Sequence, residues 1–439
     1  MILFCFFYLM WNKILNFFFF IFLIKYGENN TIEFDLNEVK GINDFYTILI
    51  KLGNQSFEVQ IDTTSSISWV PSISINTNLF SHLNITNYYN SSLPSSINKN
   101  ETILLVDEDG DVQGEIREDS LKIGNLENIK LNNFKFLSVN YYDKFFKDYP
   151  NGKLGLGYKT LINNSNILHL SKNNNIINKT IFTLEQNKIY FGDIPEKYNN
   201  YPFSSCNLTD SSELDDEYRN GWICSLTHII IGKIDKTFED SFDISPSQVS
   251  FDSAFNYISI PKKFYDIFLH NLFENELNGI CAFQEIENFE ISILCNQTNK
   301  FKNIYLAFII DGFGYYINMN DLIKKDDNGK IKLLIKFRKE NNNIWIFGLP
   351  FIKLYTVVFN AEEKIIGLYG GEREDFFEEW SKWKEHISSN LENERKILFI
   401  IGCIVVGTMF FIVIFFEFWK FKQRKKIKSS LIFNEERAQ

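Results

Sequence analysis

Val59-Gln60-Ile61-Asp62-Thr63-Thr64-Ser65-Ser66-Ile67-Ser68-Trp69-Val70-Pro71-Ser72 is the stretch whose reading decides the fold. It opens as an alternating apolar strand, breaks at an acid followed by small hydroxyl residues, and resumes at Trp69. A carboxylate at a strand end, ringed by hydroxyls, can be held by several hydrogen bonds, which tune its proton affinity. Alone, Asp-Thr-Thr-Ser also reads as an ordinary turn. A second stretch repeats the plan: Gln248-Val249-Ser250-Phe251-Asp252-Ser253-Ala254-Phe255-Asn256-Tyr257-Ile258-Ser259-Ile260-Pro261. Both run apolar strand, Asp, small hydroxyl residue, small residue, then more strand and a proline.

The chain has 439 residues and an apolar content of 45%, enough for two or three domains' worth of core and too apolar for disorder. Its net charge of −10 argues against a nucleic-acid partner for the body of the chain. Residues 2 to 24 are almost all apolar, which reads as a secretory signal peptide over 1–27, cleaved near Lys25 to Glu28. An uncleaved signal anchor is the rival reading. Ile397 to Phe416 runs 20 residues without a charge, long enough to cross a bilayer as a helix. Lys420, Lys422, Arg424, Lys425, Lys426 and Lys428 follow, so residues 417–439 form a basic cytosolic tail. The body is then lumenal or extracellular, on a single-pass type I membrane protein.

Cysteine usage agrees. Cys206, Cys224, Cys281 and Cys295 lie in the body, an even number with three possible pairings. Sequence proximity favours Cys206–Cys224 and Cys281–Cys295. These cysteines lack zinc-ligand spacing and the five histidines are scattered, so neither a metal nor a cofactor is expected. Sequons at Asn84, Asn90, Asn100, Asn178, Asn207 and Asn296 make a lumenal body a candidate glycoprotein.

Taken in order, Phe45 to Leu52 and Phe57 to Ile61 form a hairpin about Gly53-Asn54 that delivers Asp62. Strands return at Glu101 to Val106 and Val112 to Ile123, around the acidic tip Asp107-Glu108-Asp109-Gly110-Asp111. Asn151-Gly152-Lys153-Leu154-Gly155-Leu156-Gly157-Tyr158 has too few glycines for a phosphate loop and reads as close backbone packing. A lobe boundary is expected near residue 200. The second half repeats the plan loosely, with a helix over Pro261 to Phe273, a hairpin about Asp311-Gly312, and a last hairpin from Leu354 to Tyr369. Residues 372–396 read as a helical stalk, with Phe376, Phe377, Trp380, Trp383 and Ile387 on one face packed on the body or the bilayer surface.

Together these stretches resemble the pepsin family of aspartic proteases from about residue 32 to about residue 371. Asp62 to Ser66 with Ser68 to Ser72 resembles the family's first active-site loop. Val112-Gln113-Gly114 with Asp119 to Gly124 resembles the strand behind the flap, and Asn151 to Gly157 the glycine motif packed on that first loop. Tyr190-Phe191-Gly192-Asp193 resembles the end of the first lobe. Trp222, Asp252 to Pro261, Trp345 to Phe351 and Val357 to Gly367 resemble the second lobe in order.

The resemblance implies an all-β dominated, bilobal fold with short helices, a first lobe over 28–200 and a second over 201–371. It implies catalytic Asp62 and Asp252, a carboxylate pair sharing one proton, with Thr63 and Ser253 tying the two loops and Ser65 bonding Asp62 from outside. It places Cys281–Cys295 where the family has a second-lobe disulfide, and Asp107, Glu108, Asp109 and Gly110 in the flap. Protein or peptide substrates follow.

The sequence departs from the family pattern at Thr64 and Ala254, which replace glycines, at Phe255 in place of the second outer hydroxyl, and at Asp107 in place of a flap tyrosine that packs on Trp69. Thr64 and Ala254 are expected to crowd the space for water and peptide. The flap acids are expected to raise the pair's proton affinity and to repel acidic substrates. The expected function is a membrane-anchored aspartic endopeptidase. The alternative is a binding or scaffold protein on the same fold.

Overall fold

The computed structural model describes residues 31–371, with gaps at 41–43, 76–84, 106–109, 125–128, 144–150, 160–161, 199–202, 210–220, 234–238, 275–276, 286–290, 297–300, 326–330 and 339–342. The expected signal peptide, stalk, membrane span, basic tail and flap acids Asp107, Glu108 and Asp109 lie outside the described residues. Among the described residues, no helix is long and apolar enough to cross a membrane.

Among the described residues strands dominate, in three sheets. An eight-stranded sheet uses chain from Asn37–Val39 to Lys153–Gly155. A ten-stranded sheet uses chain from Ile223–Lys233 to Ile344–Phe347. A six-stranded sheet draws on both halves, in the order Ile32–Asp35, Lys188–Phe191, Ile181–Glu185, Thr356–Asn360, Ile365–Tyr369 and Phe203–Asn207.

Turn chemistry sets the hairpins that matter. Phe45–Leu52 pairs with Gln55–Asp62, Leu52 facing Gln55 across a two-residue loop. Gly53, first of the two, takes φ 59°, which an L side chain rarely adopts. Asp311 and Gly312 both take positive φ between Ile304–Ile310 and Phe313–Asn318, matching the Asp-Gly hairpin signal. The helix expected over Pro261 to Phe273 is instead a relay: a 3-10 turn at Lys262–Phe264, an α turn at Tyr265–Phe268 and a π turn at Leu269–Glu274. The structure forms both proximal disulfides, Cys206–Cys224 and Cys281–Cys295.

An aromatic cluster joins the halves beneath the two acidic loops. Trp222, wholly buried, packs its ring against Tyr158, Phe182 and Phe359. Its indole N–H donates to the Leu156 carbonyl at 2.8 Å. Phe182 and Phe359 stack at 4.4 Å across the six-stranded sheet. Full burial of such a ring contributes about 1.5–3 kcal/mol. The floor under the two carboxylates is therefore shared by both halves.

Candidate active site

Asp62 ends, and Asp252 directly follows, a strand whose last residues are buried, and the two strands are built alike. Gln55–Asp62 runs parallel to Lys153–Gly155, pairing Gln60 with Lys153, Ile61 with Leu154 and Asp62 with Gly155. Glu239–Phe251 runs parallel to Ile344–Phe347, pairing Ser250 with Ile346 and Phe251 with Phe347, so that Asp252 follows beside Gly348. The glycines are required by contact. A Cβ on Gly155 would meet the Ser65 carbonyl at 2.8 Å, one on Gly157 the same atom at 2.8 Å, and one on Gly348 the Phe255 carbonyl at 2.3 Å. The glycine motif thus packs directly on the first acidic loop, as its sequence suggested.

The two loops clasp each other through reciprocal hydroxyls. Thr63 Oγ1 donates to the Phe251 carbonyl at 2.7 Å and accepts from the Ser253 N–H at 3.0 Å. Ser253 Oγ donates to the Ile61 carbonyl at 2.8 Å and accepts from the Thr63 N–H at 3.2 Å. All four groups are buried, where an unmade hydrogen bond costs about 1–3 kcal/mol.

Each carboxylate is gripped from its own loop. The Thr64 N–H donates to Asp62 Oδ1 at 2.8 Å, and the Ala254 N–H donates to Asp252 Oδ1 at 2.8 Å. These are the two positions at which the sequence carries a side chain in place of glycine, and the backbone donors survive there. Ser65 adds its N–H to Asp62 Oδ1 at 2.8 Å. Its hydroxyl, expected to reach Asp62, turns instead to the Ile67 carbonyl at 2.9 Å.

The Thr64 side chain is the larger departure. Its Oγ1 lies 2.9 Å from Asp62 Oδ1 and 3.3 Å from Asp252 Oδ2. One oxygen atom therefore spans the two carboxyls. A hydroxyl carries a single hydrogen, so both contacts are hydrogen bonds only when one of the carboxyls carries a proton.

Lys153 was not singled out by its chemistry in the sequence, and it brings a buried cation to the site. Its Nζ lies 3.0 Å from Asp62 Oδ2, with side-chain exposures of 3% and 2%. Burial pushes the Asp62 carboxyl up. The Lys153 ammonium, the Ser65 N–H and the Thr64 hydroxyl more than offset this, and hold it below the ordinary aspartate value. A usable signal was present: a lysine in a glycine-rich stretch that must pack on an acidic loop can be buried only with a partner.

Trp69 has a ring neighbour from an adjacent strand. Tyr142, at the end of Lys130–Tyr142, sits edge-on to it at 6.0 Å. Of the expected flap residues, Gly110 is described, with φ 121°.

A sequence model described as eukaryotic aspartyl protease matches residues 45–369. The chain belongs to that family. Among its curated relatives, embryonic pepsinogen of Gallus gallus is 24% identical over 332 residues, covering 73% of this chain and 79% of the relative. Pregnancy-associated glycoprotein 4 of Ovis aries is 23% identical over 348 residues, covering 76% and 83%. Plasmepsin I of Plasmodium falciparum is 24% identical over 348 residues, covering 76% and 70%. The family carries a pepsin-like fold and suggests peptidase activity on protein or peptide substrates.

Proposed function

We propose that this family member is a membrane-anchored aspartic endopeptidase whose body lies in a lumen or outside the cell, with Asp62 and Asp252 as its catalytic pair. One observation carries the reading: a single oxygen, Thr64 Oγ1, reaches both carboxyls. That is the spacing a shared water needs. When Thr64 turns aside, a water takes that place. Its oxygen attacks the peptide carbonyl carbon while its proton passes to the Asp62 carboxylate, and Asp252 gives a proton to the carbonyl oxygen. The tetrahedral intermediate then breaks at C–N. The proton on Asp62 goes to the departing amine, and a hydroxyl proton of the intermediate returns to Asp252. One water is consumed, the peptide is split into an acid and an amine, and both carboxyls return to their starting protonation states.

The membrane anchor and lumenal placement rest on the apolar run Ile397 to Phe416 with its basic flank, and on the apolar start of the chain. Truncation after Gly371 is expected to move the protein from the membrane to the soluble fraction.

A second reading, peptide binding without turnover, is favoured by the same hydroxyl, which stands where the attacking water must stand. The deciding experiment incubates the full chain in detergent with a mixed peptide library from pH 3 to 7, beside Asp62→Ala and Thr64→Gly. Cleavage lost in Asp62→Ala supports the peptidase. A folded protein that binds peptides yet cleaves none, with or without Thr64, supports the second reading.

A further inference from the structure

Asp62 accepts four hydrogen bonds. Oδ1 takes the Thr64 N–H, the Ser65 N–H and the Thr64 hydroxyl, and Oδ2 takes the Lys153 ammonium. Three donors converge on Oδ1 and an ammonium sits on Oδ2, a set that favours the ionised carboxylate over the protonated one. Asp252 is held differently. It is half-buried, it takes the Ala254 N–H on Oδ1, and it meets Thr64 through Oδ2. The register explains the difference. Lys153 faces Gln60, two residues before Asp62, and its four-carbon stem carries the ammonium forward to the carboxylate. At the equivalent place in the second half, two residues before Asp252, Ser250 faces Ile346. Among the described residues, the buried cation set against the pair is Lys153, on the Asp62 side.

We infer that Lys153 is a positioning residue that divides the labour of the pair: its ammonium holds Asp62 as the carboxylate and leaves Asp252 as the carrier of the pair's proton. In a pair without such a cation, two adjacent carboxyls share one proton because both cannot ionise cheaply. Here the ammonium compensates Asp62 directly. Thr64 then donates its one hydrogen to Asp62 and accepts one from Asp252, which accounts for both of its short contacts. The inference deepens the peptidase reading, because it names the base and the acid.

Among the described residues, the charged groups that meet Asp62 are Lys153, from Lys153–Gly155, and Asp252, from the second half through Thr64. Trp69–Pro71, the next strand against it, brings no charge. The acid limb of kcat/KM reports the protonation of Asp62 in the free enzyme. An opposite charge in contact lowers a carboxyl by about one to three pH units, so this limb lies lower than it would without the lysine.

The test uses the full chain in detergent, with Lys153→Ile, which installs the second half's residue, and Lys153→Arg, which keeps the charge. Two readouts are taken: the pH profile of kcat/KM on a peptide found by library cleavage, and the melting temperature from pH 3 to 7. Lys153→Ile is expected to move the acid limb up by about one unit or more, whereas Lys153→Arg leaves it near that of the native chain. The loss in melting temperature in Lys153→Ile is expected to be large at pH 7 and to shrink towards pH 3, where the unpaired Asp62 takes up a proton. Adding Asp62→Asn to Lys153→Ile is expected to recover most of that loss. A role in packing alone would give a loss independent of pH and not recovered by Asp62→Asn.

Superimposed pH profiles, or a pH-independent melting loss, overturn the inference. If no form cleaves any peptide, the peptidase reading fails while the melting data still decide on Lys153. If Lys153→Ile does not accumulate, the double variant decides: a folded double variant supports the buried charge pair, and one that fails equally overturns it.

Discussion

The two acidic loops were built to one plan and then treated differently. Each follows the buried end of a strand, each aspartate takes the N–H two residues on, and each loop packs against a glycine, Gly155 or Gly348. The first loop adds a buried lysine, a second N–H from Ser65 and the Thr64 hydroxyl. The second faces Ile346 and keeps its aspartate partly open to solvent. The clasp between the loops is symmetric, because each hydroxyl serves the other loop's backbone, while the electrostatics are one-sided. Backbone geometry can thus be duplicated while side-chain charge gives two carboxylates different surroundings.

The largest effect should come from breaking the pair itself. Asp62→Ala and Asp252→Ala are each expected to lower kcat/KM by roughly 100- to 10,000-fold, the range of general acid–base catalysis, measured on one cleaved peptide. Equal losses would mean that the two aspartates act as a unit despite their different surroundings.

Removing the one-sided charge comes next. Lys153→Ile leaves Asp62 buried without its cation and is expected to destabilise the fold by about 3–5 kcal/mol at pH 7, read by denaturant unfolding. The sign follows from linkage. With the lysine present, Asp62 lies below its unfolded value of about 3.9, so its contribution is present above that pH and lost as pH falls through the folded value. Without the lysine, burial raises Asp62 and the native state gains on acidification instead.

Thr64→Gly against Ala254→Gly sharpens the contrast further. Freeing the space between the carboxyls removes a hydrogen bond to a charged group, about 1.5–3 kcal/mol. Thr64→Gly is therefore expected to raise kcat about 10- to 100-fold, while Ala254→Gly, with no hydroxyl to remove, changes it little.

The symmetric clasp should answer symmetrically. Thr63→Val and Ser253→Ala each leave a buried N–H unpaired and are expected to cost about 1–3 kcal/mol, near one another in thermal unfolding. Smallest of all, Trp222→Phe keeps the aromatic packing, loses the bond to the Leu156 carbonyl, and should cost about 0.5–1.5 kcal/mol.

Much of this was legible in the chain. The alternation of Phe57 to Ile61, the Gly53 turn, the Asp-Gly hairpin at Asp311-Gly312 and the ordered motifs from Asp62 to Gly367 identify the strands, the hairpins and the family. These are local signals, carried by residues that touch their neighbours in sequence. The disulfides followed from proximity and compartment in the same way. The helix after Pro261 was less legible, because its short turns of different pitch share one apolar face.

By itself, then, the sequence determined the class of fold and the family, and it pointed to the two aspartates as candidates, since strand period, turn residues and motif order are written along the chain. Only the tertiary structure decided how those aspartates differ. Whether Lys153 is a solvated charge or the cation of Asp62 depends on a parallel register between strands far apart in sequence. Whether Ser65 offers its hydroxyl or its N–H depends on the path of the loop. Whether Thr64 reaches one carboxyl or two depends on the approach of the other half of the molecule. Charge and hydrogen-bond partners are properties of distance in space, and sequence spacing does not specify that distance once the chain has folded back on itself.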